Sequence, residues 1–91
     1  MAVDLNAYAV YARVVELGGF TAAAEALGLS KSMVSRQIST LEDALGVRLL
    51  NRTTRRIALT EAGAVVFERA QRIVMEAQEA AEEATCVEGA V

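Results

Sequence analysis

Apolar and polar residues follow a helical period along most of this chain, and the pattern is clearest between Phe20 and Leu45. One apolar stripe recurs at intervals of three and four residues, which is typical of a helix with one buried face: Val34, Ile38, Leu41 and Leu45. The opposite side carries small polar residues and one arginine: Ser32, Arg36, Ser39 and Asp43, with Ser35 at its edge. The pattern therefore predicts a helix whose outer face is thin and polar.

This segment predicts two short helices joined by a tight turn. Alanines between residues 22 and 26 favour the first helix, and Thr21 is suited to cap it. Gly28 allows the left-handed exit from that helix, and the Ser30 hydroxyl can cap the second. A slender second helix with donors near its N-terminus is what entry into a DNA major groove requires. The same two-helix pattern also occurs in bundles that bind nothing, so it does not decide the function alone.

The residues after this pair predict a β-hairpin. Gly46 ends the second helix, and apolar residues at Leu49, Leu50 and 57–59 enclose the polar, basic stretch 51–56. No Asn-Gly or Asp-Gly pair marks a two-residue turn, so a longer loop is expected. A hairpin placed directly after a recognition helix is a wing.

Positive charge is concentrated in the second helix and the wing, although the whole chain has a net charge of −3. Residues 30–56 hold six basic and two acidic side chains, whereas residues 73–91 hold five acidic side chains and no basic one. A local basic field attracts a phosphate backbone whatever the total charge. Arg52, Arg55 and Arg56 at the wing can reach an adjacent minor groove. The alternative is a solvated turn whose arginines only keep the protein soluble.

The helices on either side have recognisable ends. Asp4 can cap a first helix that lasts until Gly18, and we expect Tyr8 and Tyr11 to serve in packing. Phe20 fits a hydrophobic staple position and is expected in the core.

The last helix is expected to begin after a Thr60 cap and to run over residues 61–84. Its apolar stripe is too long for a small domain to bury alone, which calls for a second copy of the helix. The residues expected to form this dimer contact are Val66, Ala70, Ile73, Ala77 and Ala80. A charged helix that merely frays is the alternative. Residues 85–91 are expected to be an unstructured tail.

The composition argues against catalysis. The chain has no histidine, its single cysteine, Cys86, lies near the C-terminus, and no Gly-rich phosphate loop or metal-ligand cluster is present. We therefore expect no enzyme, no metal and no cofactor. No apolar run is long enough to span a membrane and no signal segment is evident, so a cytoplasmic protein is the expectation.

Two stretches resemble the N-terminal DNA-binding domain of the LysR-type transcriptional regulators: GGFTAAAEALGLS and, over residues 30–63, SKSMVSRQISTLEDALGVRLLNRTTRRIALTEAG. The resemblance extends from Leu5 to Ala84. It implies a mainly α, winged helix-turn-helix fold: a three-helix core with a β-hairpin wing over residues 1–60, then a long C-terminal linker helix. It also implies a homodimer, paired through that helix, that binds double-stranded promoter DNA at the nucleoid.

The resemblance implies the positions of the DNA contacts: Thr21, Ser30, Lys31, Ser32, Ser35 and Arg36, with Arg52, Arg55 and Arg56 in the wing. The family's effector-sensing domain has no counterpart in these residues, so no effector site is expected in this chain. Either a domain of a longer protein or a short form fits this length. The alternative function is a short interaction module that pairs through its last helix and sequesters full-length regulators.

Overall fold

The computed structural model describes residues 4–52 and 57–89. In chain order its elements are α1 (Leu5–Leu17), α2 (Phe20–Leu27), α3 (Lys31–Leu45), β1 (Leu50–Arg52), β2 (Ile57–Leu59) and α4 (Glu61–Gly89). The two strands form an antiparallel hairpin, with Leu50 opposite Leu59 and Arg52 opposite Ile57. The predicted fold class, a mainly helical winged helix-turn-helix with a long last helix, is confirmed.

Helix α1 is the platform of the domain and packs against α2, α3 and α4. Its Tyr11 and Val14 are fully buried and lie in one cluster with Val34 and Ile38 of α3. Leu49, just before β1, is also fully buried in this cluster. The hairpin and the last helix are therefore joined to the same core as the helix pair.

Most of the predicted helix ends are confirmed. The Asp4 carboxylate accepts the backbone N–H of Asn6 at 3.0 Å and caps α1. Gly28 ends α2 with φ at 69°, the left-handed region that a glycine occupies without a steric penalty. The predicted Thr21 cap is wrong, because α2 begins at Phe20 and its N-cap is Gly19, two residues before Thr21.

Helix α4 is longer than expected. Thr60 caps it, since its Oγ1 accepts the N–H of Gly63 at 2.9 Å. The helix continues to Gly89, so residues 85–89 are helical rather than an unstructured tail. No proline interrupts this stretch, and the Thr85 hydroxyl donates to the Ala81 carbonyl at 2.8 Å within the helix. At about 1.5 Å per residue, α4 is the longest feature of the domain.

The first half of α4 packs on the chain's own core. Ala70 is completely buried there, so the prediction that it contacts a second copy is wrong. Val66 and Ile73 are half-buried, and every residue from 75 to 88 is exposed. The core of a small domain ends before its last helix does, which leaves the second half of α4 uncovered.

Candidate nucleic-acid interface

Helix α3 is held so that one face is buried and the other is bare. The Ser30 hydroxyl accepts the N–H of Met33 at 3.1 Å, which confirms the predicted cap. Val34, Ile38 and Leu41 are buried against the core, as their spacing predicts. Packing of this stripe fixes the rotation of α3 about its own axis, so the opposite face must point to solvent.

That outer face is a continuous polar surface. Ser35 is half-buried at its edge, and the other members are exposed: Lys31, Ser32, Arg36, Ser39 and Asp43. A shallow concave surface about 580 Å³ in volume is lined by Lys31, Ser32, Ser35, Arg36 and Ser39. The four predicted contact residues of α3 therefore come together on one side of one helix.

The cations of this face are not neutralised by neighbouring carboxylates. Within residues 4–52 and 57–89, ion pairs join Arg13 to Glu16, Arg48 to Glu42 and Arg72 to Glu68. Neither Lys31 nor Arg36 takes part in any of these pairs. Two uncompensated cations over the first turns of a helix attract an anionic ligand such as a phosphate backbone.

The remaining predicted contact residues lie on other elements. Thr21 is exposed in the first turn of α2, which packs against α3. Arg52 ends strand β1. Arg55 and Arg56 lie outside the described residues, so their predicted minor-groove role stays a prediction.

The sequence reasoning missed Glu42, the buried charged residue at the edge of the α3 stripe. Its Oε2 accepts the backbone N–H of Leu49 at 2.8 Å and that of Leu50 at 3.2 Å. The Arg48 guanidinium lies 3.9 Å from Oε1 and is itself largely exposed. A glutamate directly after buried Leu41 was the available signal, because a charge in such a place needs partners. Glu42 ties the wing's first strand to the recognition helix.

A second group of hydrogen bonds ties α4 to the same segment. The Thr60 hydroxyl donates to the Arg48 carbonyl at 2.7 Å, and the Thr60 N–H donates to the Leu49 carbonyl at 3.1 Å. The buried Tyr11 hydroxyl donates to the Gly63 carbonyl at 2.7 Å. Burial, and secondly the Glu42 carboxylate, raises the pKa of Tyr11 to about 12. These bonds set the direction in which α4 leaves the domain.

Other kinds of site find no support in the described part of the chain. No group of three or more His, Cys, Asp and Glu side chains is placed to hold a metal ion there. Among the helices that the structure describes, none combines the length and apolar character needed to cross a membrane.

A helix-turn-helix followed at once by a two-stranded hairpin, with the second helix presenting a bare cationic face, defines a winged helix-turn-helix protein. The sequence profile described as "Bacterial regulatory helix-turn-helix protein, lysR family" matches residues 5–64. The chain belongs to this family.

Similar proteins agree with this assignment. An "HTH-type transcriptional regulator" of Xanthomonas campestris pv. campestris is 58% identical over 77 residues, which are 85% of this chain and 22% of that protein. The structure of CrgA, a LysR-type transcriptional regulator from Neisseria meningitidis, superposes with a TM-score of 0.80 at 46% identity, covering 97% of this chain and 30% of CrgA. The complex of the BenM DNA-binding domain with catB site 1 DNA superposes with a TM-score of 0.86 at 28% identity. The match covers 93% of this chain and 96% of the BenM chain. The chain thus spans about a fifth of that Xanthomonas regulator and nearly all of an isolated DNA-binding domain.

Proposed function

We propose that this chain is the DNA-binding part of a bacterial transcriptional regulator, with α3 in the major groove and the hairpin beside it. The observation that carries the proposal is the outer face of α3, a shallow concave surface that carries Lys31 and Arg36, neither of which is paired with a carboxylate among the described residues. Similarity to a domain whose structure is a DNA complex supports it further. Regulation of promoters would place the protein at the nucleoid, in the cytoplasm.

The proposed contacts divide between base edges and backbone. Arg36 is exposed on the middle of the outer face, and a guanidinium can donate two hydrogen bonds to one guanine. Lys31, the first residue of α3, and Thr21, on α2, are suited to phosphate oxygens. Ser32 and Ser35 of the face, with the capping residue Ser30, are short side chains that let the helix backbone approach the groove. We assign Arg52, Arg55 and Arg56 to the flanking minor groove from their place in the sequence, with Arg55 as the main contact.

Selection of bound sequences from a random DNA pool tests this function directly. We expect one enriched motif, and binding to it should weaken steeply with salt, with a slope of about −0.9 for each neutralised phosphate. A matched pool exposed to a Lys31→Ala, Arg36→Ala double variant should yield no motif. If the unchanged protein enriches nothing and binding does not respond to salt, the function is wrong.

We also propose that the protein acts as a homodimer paired through the second half of α4. The exposed residues Ala77 and Ala80 continue the stripe that Ala70 begins in the core, and small side chains allow two helices to approach closely. Ala77→Glu would place a charge within that contact. Gln78→Glu adds the same charge about 100° around the helix and serves as the control.

Sedimentation analysis should find Ala77→Glu monomeric and Gln78→Glu dimeric at the same concentration. The pairing of α4 is also what the alternative function requires, namely an interaction module that sequesters longer regulators. The two functions differ in DNA binding: an interaction module forms dimers but enriches no sequence from the pool. We propose no catalytic activity.

A further inference from the structure

Met33 is the large apolar side chain of α3 that faces solvent. Val34, Ile38 and Leu41 are buried, whereas Met33 leaves 41% of its surface exposed. Its N–H is held by the Ser30 cap, so the residue sits in the first turn of the helix in a fixed backbone position. A single exposed methionine is ordinary on a protein surface, but this one lies on the helix proposed to enter the groove.

The spacing of the helix places Met33 next to Arg36. Met33, Arg36 and Thr40 follow one another at intervals of three and four residues, so they form one strip along α3. The other exposed residues in the first two turns of α3 are polar or charged, and exposed Leu29 lies before the helix begins. The polar atoms of these α3 side chains can recognise the donors and acceptors of base edges, whereas Met33 presents a large apolar side chain.

The major groove presents one apolar group, the C5 methyl of thymine, and side chains in the first turn of a recognition helix lie close to the bases. Methionine is long, flexible and polarisable, and it adapts to irregular apolar surfaces. We infer that Met33 is a specificity-determining residue that packs on a thymine methyl group within two base pairs of the base contacted by Arg36. This inference rests on the proposed function, since it requires α3 to lie in the groove.

Replacement of single thymines by deoxyuridine tests the inference, because deoxyuridine lacks the C5 methyl and keeps the base-pairing edge. The enriched motif is synthesised with each thymine replaced in turn, and Arg36→Ala locates the neighbouring base by the position where preference relaxes. We expect one replacement per half-site to weaken binding about fourfold, the effect of removing one buried methyl group. Met33→Ala should weaken binding to the normal site by a similar factor and should not distinguish thymine from deoxyuridine there.

Two further variants keep the result interpretable. Met75→Ala truncates the exposed methionine of α4, which is 56% exposed, and should leave both affinity and the deoxyuridine effect unchanged. Met33→Gln keeps the length and helix preference of the side chain, so it should fold even if Met33→Ala does not, and it should also lose the thymine preference.

The inference is overturned if no thymine lies within two base pairs of the Arg36 position, or if the deoxyuridine effect persists in Met33→Ala and Met33→Gln. In that case Met33 does not read a thymine, and the enriched motif with its salt dependence still supports the proposed function. Absence of any enriched motif would instead contradict the proposed function itself.

Discussion

Glu42 and Leu49 connect the recognition helix to the wing, because Glu42 Oε2 accepts the Leu49 N–H at 2.8 Å in the interior of the domain. The same oxygen accepts the Leu50 N–H at 3.2 Å. A side chain of α3 thereby accepts the two N–H groups at the start of β1, as the carbonyls of a neighbouring strand would in a wider sheet. The position of the start of β1 relative to α3 depends on this carboxylate.

Glu42→Ala should lower the free energy of unfolding by about 2–4 kcal/mol, since it leaves two buried N–H groups without an acceptor. Glu42→Gln keeps one acceptor oxygen, so it should lower the free energy of unfolding by less than Glu42→Ala does. Urea unfolding at a fixed protein concentration measures both, because a dimer's stability depends on concentration. Asp43→Ala, on the exposed side of the same helix, should change stability by no more than about 0.5 kcal/mol. Equal unfolding curves for Glu42→Ala and Asp43→Ala would contradict this role.

Gly63→Ala should destabilise the protein, although the same change inside a helix normally stabilises it by about 1 kcal/mol. A methyl group at Gly63 would overlap the backbone carbonyl of Leu49 and meet the Tyr11 hydroxyl. The backbone carbonyl cannot move aside as a side chain can. We therefore expect Gly63→Ala to lower the free energy of unfolding by about 2 kcal/mol or more. Gly19→Ala is the matched control, since a methyl group there meets nothing within 4 Å and the φ of 178° is ordinary extended backbone. Thermal unfolding that ranks Gly63→Ala as the more stable of the two would refute the close approach.

Tyr11 predicts how stability changes in alkaline solution. Its pKa is raised from 10.0 to about 12 by burial and, secondly, by the Glu42 carboxylate. A raised folded-state pKa means that this contribution to stability is complete below pH 10 and is lost as pH rises through about 12. In a Tyr8→Phe background, Tyr11 is the one remaining tyrosine of the chain, so phenolate absorbance follows it alone. We expect the pKa of Tyr11 to be about 12, and we expect that pKa to be lower when Glu42→Gln is added.

Tyr11→Phe separates the hydroxyl from the ring. The ring still fills the core, but the hydrogen bond to the Gly63 carbonyl is lost, which should cost about 1 kcal/mol in unfolding free energy. The alkaline loss of stability should become smaller at the same time. An unchanged pH profile in this variant would show that another group titrates.

Arg36→Ala should weaken binding to the enriched DNA motif by about 1–3 kcal/mol and relax the preference at one base position. The control is Arg72→Ala, which removes an exposed arginine that is paired with Glu68 on α4. Quantitative binding to the motif and to shuffled DNA distinguishes two roles. An equal loss on both would assign Arg36 to a phosphate rather than to a base.

The local pattern was sufficient for most of the secondary structure and for the outer face of α3. Helix period, caps and glycine exits act over a few residues, so Ser30, Gly28 and the stripe at Val34 and Ile38 could be assigned without tertiary contacts. The boundary at Thr21 was wrong because Gly19 and Phe20 allowed the helix to begin earlier.

The sequence by itself determined the class of fold, the two cations in the first turns of the second helix and the presence of a hairpin, because each is encoded by neighbouring residues. Only the tertiary structure decided how these parts are joined. Glu42 accepts a hydrogen bond from the segment that leads into β1, Tyr11 bonds to Gly63 at the start of α4, and Ala70 is buried in the chain's own core. These contacts join residues far apart in the chain, and a periodic pattern shows which face of a helix is buried but not what buries it.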